Sequence, residues 1–183
     1  MSKSKPSPQI EAIAPFPDEA LPLLWLWMEE FRTSVADDFS AQTPHEFIAE
    51  QRELAQTRGT ITYGIYRDLE LGGFVQVIIT SPVACQAHCV FKREFFGHQT
   101  TVPALNEVAR QLFDAGIERI TMTPLASNNA IKSLIKAIGA VEEGRLRGAT
   151  RQNGEPVDLL IFGLLKSDWQ AKQQTSTPAV KGD

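Results

Sequence analysis

The chain has 183 residues, 43% of them hydrophobic and 22% charged, close to the globular averages of about 45–50% and 25%. That composition excludes a disordered chain, a collagen and a small disulfide scaffold, and the length suits one compact domain. The net charge of −4 is unevenly spread, because residues 16–70 hold 11 Asp/Glu against 4 Lys/Arg while residues 71–183 hold 10 against 12. Neither half offers the broad basic face that a nucleic-acid backbone requires. The apolar run Ala20–Met28 is nine residues long and contains Pro22, far short of the roughly 20 needed to span a bilayer.

Met1–Gln9 carries Lys3 and Lys5 with no apolar stretch behind them, and the chain has only two cysteines. Both features read as a cytoplasmic protein. Residues 1–9 and 170–183 are polar and aperiodic, so they are expected as flexible tails on a single domain spanning 10–169.

In chain order, Asp18 stands as an N-cap before Leu21, Leu24, Trp25 and Met28, a spacing that predicts a first helix of about 15 residues. Thr43, Pro44 and Glu46 form a capping box with proline at the first helical position, and Gly59 should lie just beyond this second helix. Thr60–Tyr66 and Phe74–Thr80 then read as strands on either side of a turn, followed by a strand at Ala87–Phe95. A helix is predicted from Thr101 with Leu105, Val108, Ala109, Leu112 and Phe113 on one face, stopped by Gly116. Arg119–Leu125 is a strand, Asn128 caps a helix ended by Gly139, and Gln152-Asn153-Gly154 turns a terminal hairpin. The order ααβββαβαββ predicts an α+β (α/β three-layer) domain with a mixed, mostly antiparallel sheet flanked by helices.

Several side chains are candidates for chemistry. Cys85, His88 and Cys89 have the residue types of a metal cluster, but structural zinc takes four ligands and His45 and His98 lie in separate elements. No metal is expected, and the cysteines read as small hydrophobes. His88 falls on the same strand face as Val90, Lys92 and Glu94 by alternation.

The run from Asn128 to Trp169 resembles the C-terminal part of the GNAT N-acetyltransferase family, in particular its RimL-like branch. The resemblance rests on Asn128 at a helix start, Gly139-Ala140, Glu143-Gly144, Arg145 with Arg147, Gly154, Asp158 and Trp169. It implies acetyl-CoA as cosubstrate, bound where two parallel strands splay apart, with its pyrophosphate at the start of the next helix. That place corresponds to Phe95, Phe96, Gly97, His98, Gln99, Thr100 and Thr101, with Asn128 and Ser133 on the facing helix. Glu94 stands where the family has a donor, and Ile135 stands at the place of its tyrosine. Glu94 or His88 would act as the base, and the acceptor would be a primary amine of a protein or small molecule, made cationic by preference through the acidic first half.

A second reading stays open. The stretch from His88 to Ile120 is similar to divergent GNAT proteins encoded by bacteriophages, which implies a catalytically degenerate domain serving as a structural or binding component of a virion, with other protein subunits as partners through the tails.

Overall fold

The computed structural model describes residues 8–30, 41, 43–57 and 59–176. Seven strands form one sheet in the order β1-β2-β3-β4-β5-β7-β6. They are β1 (Ile10–Ile13), β2 (Thr60–Arg67), β3 (Glu70–Ser81), β4 (Ala84–Phe91), β5 (Arg119–Met122), β6 (Val141–Gln152) and β7 (Glu155–Leu165). Five helices flank them: α1 (Leu21–Glu30), α2 (Pro44–Gln56), α3 (Thr101–Asp114), α4 (Asn129–Ala137) and α5 (Lys166–Ser176). Every neighbouring pair is antiparallel except β4 and β5. The mixed, mostly antiparallel sheet is therefore the one expected, and its single parallel step follows from α3 carrying the chain across between β4 and β5.

Strand alternation divides the apolar residues between two layers. On one face Val75, Val77, Cys85, Ile120 and Phe162 meet Leu105, Val108, Leu112 and Phe113 of α3 and Ile135 of α4. On the other, Phe74 and Val90 meet Leu24, Trp27 and Met28 of α1 and Phe47 of α2. Burying each such side chain contributes about 1.5–3 kcal/mol, so the larger α3/α4 layer dominates the stability.

Local signals explain most element ends. The Thr43 hydroxyl accepts from the Glu46 amide at 3.2 Å and Pro44 opens α2, as the capping pattern requires. Asn153 and Gly154 both take positive φ, 53° and 80°, the geometry of a tight hairpin turn.

Four elements differ from expectation. An additional antiparallel strand, β1, pairs with β2 from Ile10 to Ile13; four residues are too few for a period to be read. Asp18 does not cap α1, which begins at Leu21 after a 3-10 turn over Asp18–Ala20. Its carboxylate pairs instead with Arg52 of α2 at 2.7 Å, and this guanidinium holds the Asp18 pKa below its ordinary value. β4 stops at Phe91: the Lys92 amide still bonds the Gly72 carbonyl of β3, and the chain then enters a 3-10 turn at Arg93–Phe95. Finally, α5 runs through Ser176, into the stretch expected as a tail. Trp169 and Gln173 both donate to Asn106 of α3 at 2.9 Å, which ties a polar helix of low intrinsic amphipathicity to the core. Residues 1–7 and 177–183 of the expected tails lie outside the described residues. No described helix is long and apolar enough to cross a membrane.

Candidate functional site

The site begins with a strand that loses its neighbour. β4 pairs with β5 only from Ala84 to Gln86, opposite Arg119 to Thr121. Beyond that point β4 continues with β3 as far as Phe91. The chain after β5 leans the other way, onto β7, where the Pro124 carbonyl accepts from Leu160 and Ala126 donates to Asp158, both at 2.9 Å. Pro124 has no N–H to offer β4, which favours the separation at that residue. A hydrogen bond from Gln86 Nε2 to Thr123 Oγ1, 3.3 Å, closes the apex of the V.

A cavity of about 520 Å³ opens in this gap. Its lining draws on both layers. Leu105, Met122, Ile131 and Ile135 come from the α3/α4 side, whereas Met28, Phe74 and Val90 come from the α1/α2 side. The cavity therefore lies between the two layers, and its two sides differ in chemistry. The α3/α4 side is apolar apart from Asn128 and the Cys89 thiol. The α1/α2 side carries Gln51, Gln76, Gln86, His88 and Thr123.

These polar groups are ordered by the sheet register. Thr62, Gln76 and His88 lie opposite one another on β2, β3 and β4. Gln76 Nε2 donates to Gln51 Oε1 at 3.3 Å and to Thr62 Oγ1 at 3.4 Å, joining α2 to the row. Among the described residues no Asp or Glu lines the cavity, and its titratable lining groups are His88 and Cys89. The His88 ring is open to solvent through the cavity, yet protein surrounds it closely enough that desolvation lowers its pKa from the ordinary 6.5. Burial pushes the Cys89 thiol up to about 12, so it stays protonated and is a poor nucleophile. Among the described residues no three His, Cys, Asp or Glu side chains are grouped to hold a metal ion.

The loop between β4 and α3 is built by inward-facing side chains. Phe95 is fully buried, stacked beneath the Arg67 guanidinium 4.1 Å from its ring centre and against Lys92 at 4.5 Å. It fills the space that only a glycine at position 72 leaves, since a Cβ there would overlap the ring. Arg67 also donates to the Glu94 carbonyl at 3.0 Å and to Thr100 Oγ1 at 3.3 Å. Thr101 Oγ1 accepts from the Gly97 amide at 3.0 Å and donates to the Phe95 carbonyl at 3.2 Å. Gly97 has φ 144° and open space where a side chain would stand. The amides of His98 and Gln99 have no protein partner among the described residues, and they sit at the N-terminus of the 14-residue α3. Unpaired amides and the helix dipole together favour an anion there.

The sequence candidates separate accordingly. His88 and Asn128 line the cavity; the Asn128 side chain also caps α4 by accepting from Ile131 at 3.1 Å. Gly97, His98 and Gln99 form the loop surface, and Phe96 is partly exposed beside them. Ser133 Oγ lies 3.4 Å from His98 Nε2, so this pair bridges α4 and the loop rather than facing the cavity. The side chains of Phe95, Thr100 and Thr101 are buried inside the loop and shape it. Glu94 is exposed on the 3-10 turn and does not line the cavity, because β4 has already ended and strand alternation no longer aims its side chain. Arg67, Gln51, Gln76, Gln86 and Thr123 were not foreseen. For Gln76 a signal existed: it is the one polar residue in the run Phe74–Ile79.

No family model matches the sequence. A curated relative from Bacillus subtilis (strain 168), YdaF, named as a ribosomal N-acetyltransferase, is 25% identical over 154 residues, covering 81% of this chain and 80% of the relative. A structure from T. thermophilus, solved as an acetyltransferase, matches with a TM-score of 0.75 and 21% identity over 95% of this chain and 97% of that one. Spermidine N-acetyltransferase from Vibrio cholerae, solved in complex with CoA and spermine, matches with a TM-score of 0.75 and 15% identity, covering 90% and 98% of the two chains. The fold is that of GNAT acetyltransferases.

Proposed function

We propose that the chain is an acetyl-CoA-dependent N-acyltransferase that moves an acetyl group to a primary amine of a protein or small molecule. The observation that carries this reading is the cavity through the sheet at the β4–β5 gap, with an anion-suited loop beside it. Such a cavity suits a two-substrate transfer, because the amine must reach the thioester carbonyl carbon from a side that the CoA arm does not occupy.

The residues present fit the cosubstrate. The amides of His98 and Gln99 would hold a pyrophosphate, with Gly97 letting the phosphates approach the backbone. From Ala87 onward β4 has β3 on one side only, so its open edge can take an extended amide-bearing arm as an added strand. An N–H on that edge would also stabilise the oxygen of a tetrahedral adduct. The largely apolar α3/α4 side would shield the thioester from water. The amine would enter from the α1/α2 side. No Asp or Glu lines the cavity among the described residues, and of the acidic residues of the first half Asp18 pairs with Arg52 and Glu30 with Arg93 at 2.6 Å. The curated relative and the Vibrio cholerae neighbour, named for ribosomal and spermidine acetyltransfer, support an amine acceptor.

Calorimetric titration with acetyl-CoA tests the reading. Micromolar binding that is lost in Gly97→Glu, which places a carboxylate at the phosphate loop, is the expected outcome. Absence of binding by the wild-type chain at millimolar ligand overturns it.

A further inference from the structure

We infer that the open face of β5, β7 and β6 seats a second copy of this chain. Cross-strand register and alternation place six apolar side chains on that face: Val157, Leu159, Ile161 and Leu165 of β7 with Val141 and Leu146 of β6. It is the face that carries α1 and α2 elsewhere in the sheet. Thr121, opposite Gly163 of β7, also aligns with Gln86 of β4, and Gln86 shares its side of that strand with Val90 of the α1/α2 layer. That layer ends at β4, for none of its apolar members comes from β5, β6 or β7. Among the described residues Val141 is therefore 54% exposed, Leu146 43% and Leu165 40%, and the other three are half-buried.

The mismatch is clearest along β7. Leu160, Phe162 and Leu164 pack into the large α3/α4 layer, while Val157, Leu159, Ile161 and Leu165 point the other way, so the strand is apolar on both sides. An antiparallel strand with one face in water alternates apolar with polar residues, and a strand apolar on both faces is the kind that is covered on both. A contiguous exposed apolar surface of this sort marks a contact with another macromolecule.

The charges on the face select the occupant. On the rows from Leu165 to Leu159 the charged side chains are Arg119 and Glu143, and they are paired with each other. Arg119 Nη1 donates to Glu143 Oε1 at 2.8 Å, Nη2 donates to the second carboxylate oxygen, and Nε donates to Thr121 Oγ1 at 3.2 Å. Gly163 is buried beneath this pair, and a Cβ there would overlap the Glu143 carboxylate, so the pair lies against the strand. These rows carry no net charge, and a strongly acidic or basic partner finds no complement on them. Two copies, each of net charge −4, repel least where they meet through a neutral apolar face, and interfaces between identical subunits are the more apolar class. About a two-fold axis the two sheets would stack roughly 10 Å apart with their aliphatic side chains interleaved. Leu159 also lines the cavity, so the seated copy would stand beside the α1/α2 side of the site.

Sedimentation equilibrium of the full chain tests the proposal. The expected particle at micromolar concentration has twice the 20.3 kDa mass of the chain, with a melting temperature that rises with protein concentration. Leu146→Glu combined with Leu165→Glu should raise the dimer dissociation constant by at least about 100-fold, because each carboxylate would be buried without a partner and two-fold symmetry repeats every substitution. Both positions are exposed in the single chain, so its circular dichroism should not change. Val141→Asp, at the most exposed of the six, is a second variant with the same expected direction. Leu26→Glu, at a position of α1 that is 61% exposed, should leave the dimer intact. A wild type that stays monomeric throughout the micromolar range overturns the proposal and leaves residues 31–40 or a different protein to cover the face. A dimer that survives both β6–β7 variants, or that Leu26→Glu dissolves equally, also overturns it. None of these outcomes depends on acetyl-CoA, so each leaves the acyltransferase reading where it stands.

Discussion

β4 is two different strands in sequence. From Ala84 to Gln86 it is central, with β3 and β5 bonded on its two sides, and from Ala87 to Phe91 it has β3 alone. Residue types barely change across that boundary, with Cys85 buried before it and Phe91 buried after it. What changes is the direction of β5's continuation, which is held on β7 by Pro124, Ala126 and the Leu125–Leu159 bridge. The lesson is that withdrawing one neighbour from a strand supplies both a void and an unpaired backbone edge, the two things a ligand arm needs. The sealed segment carries stability, and the open one leaves the space and the edge that the proposed acyl transfer would use.

The strongest way to break this comparison is to close the open half. Ile135→Trp projects a large ring from α4 into the cavity, and it should weaken acetyl-CoA binding by more than about 100-fold, at least ~2.7 kcal/mol. Calorimetry checks the affinity and a melting curve checks that the fold persists. Retained affinity would mean that the cavity is not the binding place.

The packing layer beneath the sealed half is tested by Phe162→Ala on β7, a fully buried ring in the same large layer as Cys85. Urea unfolding should report a loss of about 3–5 kcal/mol. A small loss would contradict the view that the α3/α4 layer dominates the stability.

A smaller effect is expected at the loop. Arg67→Met keeps an aliphatic stem over Phe95 but deletes the hydrogen bonds to Glu94 and Thr100. Acetyl-CoA affinity should fall about tenfold, near the ~1.5–3 kcal/mol typical of hydrogen bonds to a charged group once partial replacement by water is allowed. If stability falls and affinity does not, the loop is not the phosphate cradle.

Gln76→Leu sharpens the contrast between the two sides of the cavity. It removes the link to Gln51 and Thr62 on the α1/α2 side. The acetyl-CoA dissociation constant should stay within about twofold, while the apparent Michaelis constant for an amine probe rises several-fold, about 1 kcal/mol of lost polar contact.

The smallest effect lies on α3, outside the cavity. Arg110 and Gln111 hydrogen-bond the Glu107 carboxylate and hold its pKa below the ordinary 4.5. A depressed folded-state pKa means the stabilisation is present above about 4.5 and disappears as pH falls through the folded-state value. The wild-type melting temperature should therefore drop slightly more on acidification below about pH 4.5 than that of Glu107→Gln.

Much of the fold was legible because its signals are local. The Thr43 box, the apolar face of α3, the Asn128 cap and the Asn153-Gly154 turn each depend on residues within a few positions of one another. β1 and α5 were not legible, because β1 exists only as a partner to β2 and α5 is fixed by Asn106, 63 positions away from Trp169. The site divided in the same manner. Gly97, His98, Gln99 and Asn128 follow from their places at helix starts. Glu94 was misplaced because strand alternation was extended past the point where the chain leaves β4 for the Arg93–Phe95 turn.

By itself the sequence determined the helical starts and stops, the strand-rich middle and the mixed sheet, since period, capping and turn chemistry act over a few residues. Only the tertiary structure decided where β4 loses its partner, that Arg67 clamps the loop, and that Gln51, Gln76 and His88 line one side of the same cavity. Those depend on cross-strand register and on contacts between distant segments, which no local spacing encodes.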